Sequence, residues 1–187
     1  YGQSLSCKLH PITNRVHPSF NLIGARTGRM SCADPNLQNM PREKEFRRFF
    51  EAAKGKKFII ADYSQIELRV AAEVAPEHKL RDALKQGFDA HRHTAALMLN
   101  VSMEEIPEKG EARSAAKAVN FGMLYGMGAR GLAQSASKPP YSVAMSETKA
   151  KEHIANWFKI YPGFAKWHAR IKHESGLNYM VSTPAGR

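Results

Sequence analysis

One row of side chains in the stretch RSAAKAVNFGMLYG (113–126) combines two cations with two aromatic rings. At four-residue spacing the row contains Arg113, Lys117, Phe121 and Tyr125. Four helical residues turn through about 400° and rise about 6 Å, so these side chains form one slanting row on a helix. Arg and Lys suit phosphate oxygens, and a flat ring suits a sugar or base. The row therefore matches the order of groups in a nucleoside triphosphate.

The same spacing also fits a surface helix with two solvated cations and two buried aromatic rings. The residue types alone leave both interpretations open. Gly122 lacks a side chain next to Phe121, and we expect a bulky ligand to approach there.

A second group of residues lies in IIADYSQIELR, residues 59–69. The apolar run 58–61 predicts a strand that ends at Asp62, which places a carboxylate at the rim of a sheet. Carboxylate oxygens suit hard cations such as magnesium. One carboxylate does not make a metal site, however, and taken alone Asp62 fits better as the cap of the helix that follows.

The composition bounds the class of protein. The chain has 187 residues, with 28 Lys and Arg against 17 Asp and Glu, for a net charge of +11. This charge favours a polyanionic partner, most often nucleic acid, although a merely basic protein has the same balance. We expect no membrane partner, because no run of about 20 apolar residues occurs. Cys7 and Cys32 are expected to be reduced thiols in a cytosolic protein. Both ends look cut, which predicts a piece of a larger protein.

The periodicity predicts an α+β fold, with a small sheet early and helices later. Residues 1–45 are expected to form loops and short strands, and residues 46–53 and 58–61 a hairpin turning at Gly55-Lys56. We expect Asp89 to cap one helix, Ser146 to cap another and Pro162 to begin the last. The predicted helices are 65–75, 77–86, 90–100, 109–126, 129–136, one after Ser146 that buries Ala150, Ile154, Trp157, Phe158 and Tyr161, and one that buries Phe164, Trp167 and Ile171.

Three segments resemble a known family. DYSQIELR (62–69) resembles motif A of the family A DNA polymerases, the DNA polymerase I type. The pattern Arg-x3-Lys-x3-Phe-Gly-x2-Tyr-Gly (113–126) resembles motif B, the fingers helix, and TGRMSCADPNLQNMP (27–41) resembles the segment that contacts the primer–template duplex. The resemblance runs from about Leu9 to the last residue, and three motifs in the right order make it specific.

The resemblance implies the palm of a right-hand polymerase, with a small antiparallel sheet and helical fingers, truncated at both ends. Residues 1–75 would hold part of the palm, with the duplex-contacting segment and motif A. Residues 76–165 would form fingers helices with motif B, and residues 166–187 an incomplete return toward the palm.

The resemblance also implies the chemistry of the site. Asp62 and the carbonyl of Tyr63 would bind catalytic Mg²⁺, of which the complete enzyme holds two. Arg113 and Lys117 would bind the triphosphate, and Lys117 would stabilise charge in the transition state. Glu67 matches the steric gate that excludes a ribose 2′-hydroxyl.

Further matches concern the nucleotide and the duplex. His91, in DAHRHTAA, matches another phosphate contact, Phe121 packs on the incoming sugar and base, and Tyr125 stands at the template-base position. The implied duplex contacts, which would meet minor-groove acceptors shared by all base pairs, are Arg29, Asn36 and Gln38.

Some features depart from the family pattern. Ser114 stands where many members carry a second Arg. The sequence GARTGRMSC, which includes Arg26, is closer to the sequences of phage-like and some bacterial members. The chain contains no His-Asp-Glu tripeptide, where the family places its second catalytic carboxylate. We therefore expect the 187 residues alone to be inactive.

The expected function is DNA-directed DNA synthesis in replication or repair by a cytoplasmic monomer, in a bacterial cell or a phage-infected host. Its partners would be primer–template DNA and deoxynucleoside triphosphates. Two alternatives stay open: a single-subunit RNA polymerase, against which Glu67 weighs, and a non-catalytic DNA-binding module derived from a polymerase.

Overall fold

The computed structural model describes residues 5–41, 43–178 and 182–183. By its contacts the chain divides into two compact units, Tyr1–Asp62 and Tyr63–Arg187. The first unit contains short elements and loops, and the second is helical. A small antiparallel sheet and many helices agree with the predicted α+β class.

The first unit is built around two short antiparallel strands. Strand β1, Ser19–Asn21, pairs with β2, Ser31–Ala33, and Phe20 lies opposite Cys32. A 3-10 turn, Leu37–Asn39, and a four-residue helix α1, Lys44–Arg47, follow. The prediction of loops with short strands in this part of the chain is confirmed.

The predicted hairpin is wrong. Residues 44–47 are helical, and residues 58–61 form no strand, although the turn at Gly55 is present with a φ of +74°. Ile59 is 95% exposed and Ile60 is 86% exposed. Among the described residues no segment pairs with this run, and a strand needs a hydrogen-bonded neighbour to satisfy its backbone groups.

The second unit consists of helices in the predicted order. Their bounds are α2 Ile66–Val74, α3 His78–Lys85, α4 Ala90–Leu99, the 3-10 turn Met103–Glu105, α5 Glu111–Leu124, α6 Ala129–Ala136, α7 Glu147–Ile160 and α8 Pro162–Asn178.

Local signals set the ends of these helices. The Asp89 carboxylate accepts hydrogen bonds from the backbone N–H groups of His91 and Arg92 and caps α4. The Ser146 hydroxyl accepts one from Lys149 and caps α7. Gly126, with a φ of +66°, lies in the left-handed region just after α5. These predicted helix ends are confirmed.

The core of the second unit is aromatic. Trp157, Tyr161 and Phe164 are fully buried, and the rings of Trp157 and Phe164 have centroids 4.9 Å apart. This confirms that the aromatic stripe on α7 is core. On α8 Phe164 is fully buried, whereas Trp167 and Ile171 are half-buried.

The buried face of α2 differs from the predicted one. The periodicity of residues 65–75 predicts Ile66, Val70 and Val74 on one side of the helix, but Ile66 and Val70 are 44% and 54% exposed and Val74 is half-buried. Leu68 and Ala72 are buried instead.

Among the described residues, no helix is long and apolar enough to cross a membrane.

Candidate functional site

The predicted row of side chains lies on one helix. Arg113, Lys117 and Phe121 are on α5 and are half-buried, and Tyr125 follows the last residue of α5. Tyr125 is 62% exposed. The alternative interpretation needed two buried aromatic rings, so the exposure of Tyr125 does not fit it.

His91 lies beside this row. It is in the first turn of α4, the residue is 4% exposed, and its ring centroid lies 5.6 Å from that of Phe121. The packing of α4 against α5 therefore brings His91 to the predicted nucleotide-binding residues. Sequence spacing alone could not place these two rings together, because they are 30 positions apart.

An ion pair joins the two helices at the same place. Arg113 Nε and Nη2 donate to Asp89 Oδ2 at 3.0 Å and 2.6 Å. Burial alone would raise the pKa of the Asp89 carboxyl, but bonds from Arg113 and the backbone of Arg92, with the charge of Arg113, hold it below its usual range. The sequence predicted Asp89 only as a cap, so this second role was missed.

Burial is the main reason why the His91 ring is neutral. Burial, followed by the nearby cations Arg113 and Lys117, lowers its pKa to about 4, against the opposing effect of Asp89. At neutral pH His91 therefore carries no charge. It can donate one hydrogen bond to an anion, while Arg113 and Lys117 supply the positive charge.

A buried polar network behind His91 was also missed from the sequence. Asn120 is fully buried and contacts His91, Thr94 and Trp157 through its side-chain amide. The available signal was an amide residue between Val119 and Phe121 on an otherwise apolar stretch of helix. A buried amide has to be hydrogen-bonded, but the sequence does not reveal its partners.

Residues of motif A are tied to the same end of α4. Gln65, the N-cap residue of α2 with a φ of +53°, accepts a hydrogen bond from Ala90 N through Oε1 at 3.0 Å. Arg69 donates to the carbonyls of Ser64 and Leu84. The Gln65 bond holds the start of α2 next to the start of α4, and the Arg69 bond to Leu84 connects α2 to α3.

Glu67 lies in the first turn of α2 and is half-buried. Burial raises the pKa of Tyr141, and the charge of Glu67 raises it further. Glu67 is therefore close to the segment 137–145, which follows α6. Sequence spacing gave no sign of this neighbour.

The predicted metal ligands are accessible. Asp62 is exposed and Tyr63 is 80% exposed. Gln65, not Asp62, is the N-cap residue of α2, so the cap interpretation of Asp62 is wrong. In the described part of the chain no group of three His, Cys, Asp or Glu side chains could hold a metal ion. Asp62 thus offers one accessible carboxylate ligand.

The predicted duplex-contacting residues lie within a short part of the first unit. Arg29, Asn36 and Gln38 are all exposed and flank β2 and the 3-10 turn. Asn36 caps that turn by accepting from Gln38 N at 3.0 Å, and Gln38 Nε2 donates to Met30 O at 3.3 Å. The local fold thus keeps these side chains on one exposed segment.

The expectation for Gly122 is wrong. Gly122 is buried, and a Cβ there would lie 3.0 Å from Leu132 Cδ1 on α6. The missing side chain permits close packing of α5 against α6. It does not open a path for a ligand.

The helix that carries cations and aromatic rings, together with His91, defines a candidate nucleotide-binding protein. The sequence model of DNA polymerase family A matches residues 1–187. The chain belongs to DNA polymerase family A.

Individual relatives agree with this family. The chain is 46% identical to DNA polymerase I of Aquifex aeolicus over 167 residues, covering 89% of the chain and 28% of the relative. It is 42% identical to DNA polymerase I of Rhizobium leguminosarum, covering 100% of the chain and 18% of the relative. The chain thus spans less than a third of either relative.

A solved structure has the same fold. It is the POL domain of Pol1 from M. smegmatis in complex with DNA primer-template and dNTP. The TM-score is 0.80 at 30% identity, covering 99% of this chain and 32% of that one.

Proposed function

We propose that this chain is the nucleotide-binding part of a DNA-directed DNA polymerase, which adds deoxynucleotides to a primer 3′ end under the direction of a template. The observation that carries the proposal is the row Arg113, Lys117 and Phe121 on α5 and Tyr125 at its C-terminal end, with His91 beside the row. Family membership and the likeness to a polymerase domain with DNA and dNTP support it.

The triphosphate binds at the N-terminal half of α5 and the first turn of α4. Arg113 and Lys117 supply positive charge, and neutral His91 supplies a hydrogen-bond donor. Lys117 has the further role of stabilising the charge that develops on the phosphates in the transition state. Arg113 mainly contributes to nucleotide binding.

Selection of the nucleotide falls to the residues beyond the phosphates. Phe121 packs on the incoming sugar and base, and Tyr125 stands at the template-base position. Glu67 is the steric gate against a ribose 2′-hydroxyl. Its half-buried position on the first turn of α2, which is hydrogen-bonded to the start of α4, supports this role.

The cofactor is Mg²⁺, bound by the Asp62 carboxylate and the carbonyl of Tyr63, with a second carboxylate ligand elsewhere in the complete protein. Asp62 fits this role because it is exposed and forms no hydrogen bond or ion pair with the described residues. When bound, such ions activate the attacking hydroxyl and stabilise the leaving pyrophosphate.

The DNA partner is a primer–template duplex contacted by Arg29, Asn36 and Gln38. The net charge of +11 supports sequence-independent binding to the phosphate backbone. The palm and fingers bounds, the monomeric state, the cytoplasmic location and the inactivity of the 187 residues alone stay predictions. The two alternative functions have less support than DNA synthesis, since the compared relatives are DNA polymerases.

Primer extension by the full-length protein that carries this chain tests the proposal. With primer–template, dNTPs and Mg²⁺ we expect template-directed extension that is lost in Asp62→Ala. Asp82→Ala is the matched control, because Asp82 is exposed on α3 and pairs with Arg81. Extension that survives Asp62→Ala, or its absence in the parent protein, would contradict the proposal.

A further inference from the structure

A chain of buried hydrogen bonds leads from the aromatic core to His91. Trp157 Nε1 lies 2.7 Å from Asn120 Oδ1, and Asn120 Nδ2 lies 3.1 Å from His91 Nδ1. Trp157 and Asn120 are fully buried. The donor and acceptor in each of these hydrogen bonds follow from the atom types.

Trp157 fixes the orientation of the Asn120 amide. An indole N–H donates a hydrogen bond and cannot accept one. The Asn120 atom that faces Trp157 must therefore be the oxygen. The amide nitrogen, with its two protons, then faces the opposite way.

Each of the two protons on Asn120 Nδ2 has its own acceptor. Asn120 Nδ2 lies 3.0 Å from Thr94 Oγ1 as well as 3.1 Å from His91 Nδ1. The Thr94 hydroxyl lies within 3.2 Å of Ala90 O, Asn120 Oδ1 and the Tyr161 hydroxyl, so its own proton has several acceptors. An amide nitrogen cannot accept a hydrogen bond, so Thr94 accepts from Asn120 Nδ2 in every case. The other Asn120 proton is donated to His91, which means that His91 Nδ1 is an acceptor.

The ring proton of His91 lies on the far side of the imidazole, at Nε2. When Nδ1 accepts, the ring proton of a neutral His is on Nε2. No described residue bonds His91 Nε2. Among the described residues, His168 Nε2 is the only side-chain N or O atom that is both shielded from solvent and without a hydrogen-bond partner. Since His91 Nε2 also has no such partner, it must be in contact with solvent.

We propose that Asn120 is a positioning residue: it holds His91 in the Nε2–H form, so that Nε2 donates a hydrogen bond to the triphosphate of the incoming nucleotide. This inference rests on the proposed function of His91 as a phosphate contact. Trp157 fixes Asn120, Asn120 fixes His91, and His91 meets the ligand.

The alternative ring form would be unfavourable for an anion. With the proton on Nδ1, the Nε2 lone pair would face the phosphate oxygens, and both groups would be acceptors. Protonation of the ring does not supply the missing donor at Nε2, because the low pKa of His91, caused mainly by burial, keeps the ring neutral. Asn120 thus determines whether His91 attracts or repels the ligand.

Nitrogen NMR of the full-length protein tests the inference without a nucleotide. With ¹⁵N-labelled histidine, the two ring nitrogens of a neutral imidazole have distinct shifts, and the His91→Gln variant identifies the His91 signals. We expect His91 in the Nε2–H form at pH 7. A proton on Nδ1, or a doubly protonated ring, would overturn the inference.

Two variants of the same network separate positioning from stability. Asn120→Leu removes the donor to His91, whereas Thr94→Val removes a neighbouring hydroxyl and leaves the Asn120–His91 bond intact. In single-turnover incorporation we expect Asn120→Leu to weaken dNTP affinity about tenfold, the effect of weakening a hydrogen bond to a charged group. The maximal rate should change less, and Thr94→Val should retain the parental affinity.

Melting temperatures of both variants complete the comparison, because each loses a buried hydrogen bond. Equal losses of dNTP affinity in Asn120→Leu and Thr94→Val would reduce Asn120 to a structural role and overturn the inference. Failure of the proposed function appears differently, as absence of template-directed extension by the parent protein, whatever form His91 takes.

Discussion

Arg113 Nη2 lies 2.6 Å from Asp89 Oδ2, and Arg113 Nε lies 3.0 Å from the same oxygen. The other oxygen of Asp89 caps the helix that begins with Ala90 and His91. One carboxylate therefore holds together the start of α4 and the N-terminal half of α5. In the proposed function, an incoming triphosphate would meet an Arg that is already paired with a carboxylate.

Asp89→Asn should tighten nucleotide binding. Asn caps a helix about as well as Asp, so α4 keeps its cap while Arg113 loses its competing anion. We expect the dNTP dissociation constant to fall about two- to fivefold, the size of a partly exposed ion pair. The measurement is single-turnover incorporation at varied dNTP concentration, with Asp82→Asn as control. Weaker binding at an unchanged melting temperature would instead show that Asp89 orients Arg113 for the ligand.

Glu67→Ala should admit ribonucleotides. The carboxylate occupies the first turn of α2, and its removal leaves room for a 2′-hydroxyl. Discrimination is measured as the ratio of kcat/KM for dNTP and rNTP. Glu73→Ala is the matched control, since Glu73 is on the same helix but pairs with Arg81 and Lys85. An unchanged ratio in Glu67→Ala would refute the gate assignment.

Phe121→Tyr should improve the use of dideoxynucleotides. Phe121 presents no hydroxyl at the sugar edge, so the absent 3′-hydroxyl of a dideoxynucleotide is not compensated, and a Tyr hydroxyl could fill that space. The measurement is the ratio of ddNTP to dNTP incorporation. The same ratio in the variant and the parent would indicate that Phe121 packs only against the protein.

Acid should destabilise the fold through His91. The pKa of His91 is about 4, against an ordinary 6.5, so the unfolded chain binds this proton at a higher pH than the folded one does. Stability is therefore lost as the pH falls from about 6.5 to about 4, by on the order of 2–3 kcal/mol from this group.

Denaturant unfolding at pH 7 and pH 4.5 measures this effect. His91→Gln should reduce the difference between the two free energies of unfolding, and His173→Gln, at an exposed position, should not. Equal pH dependence in the His91 variant and the parent would mean that His91 titrates normally.

Local features of the fold could be predicted from the sequence. The caps at Asp89 and Ser146 and the helix end at Gly126 depend on residues within one turn of the helix, and the structure has all three. The four-residue spacing within residues 113–126 likewise predicted the row of side chains along α5. Such signals are complete within a short window of sequence.

Features that depend on distant partners could not be predicted in the same way. Residues 58–61 have the composition of a strand, but pairing depends on a neighbour that a local window does not contain. The Asp89–Arg113 and His91–Asn120 contacts join positions 24 and 29 residues apart. Only the packing of α4 on α5 brings these groups together, and no periodicity within either helix encodes their meeting.

The central claim is that the cations of α5 act on the triphosphate, and Lys117→Ala in the full-length protein tests it most directly. Single-turnover incorporation separates the rate of the chemical step from dNTP affinity. We expect Lys117→Ala to slow that step by about 30- to 1,000-fold, the loss of about 2–4 kcal/mol of transition-state stabilisation. Arg113→Ala should mainly weaken affinity, and Lys151→Ala, which removes an exposed cation paired with Glu147 on α7, should match the parent. A parental rate for Lys117→Ala would contradict the account.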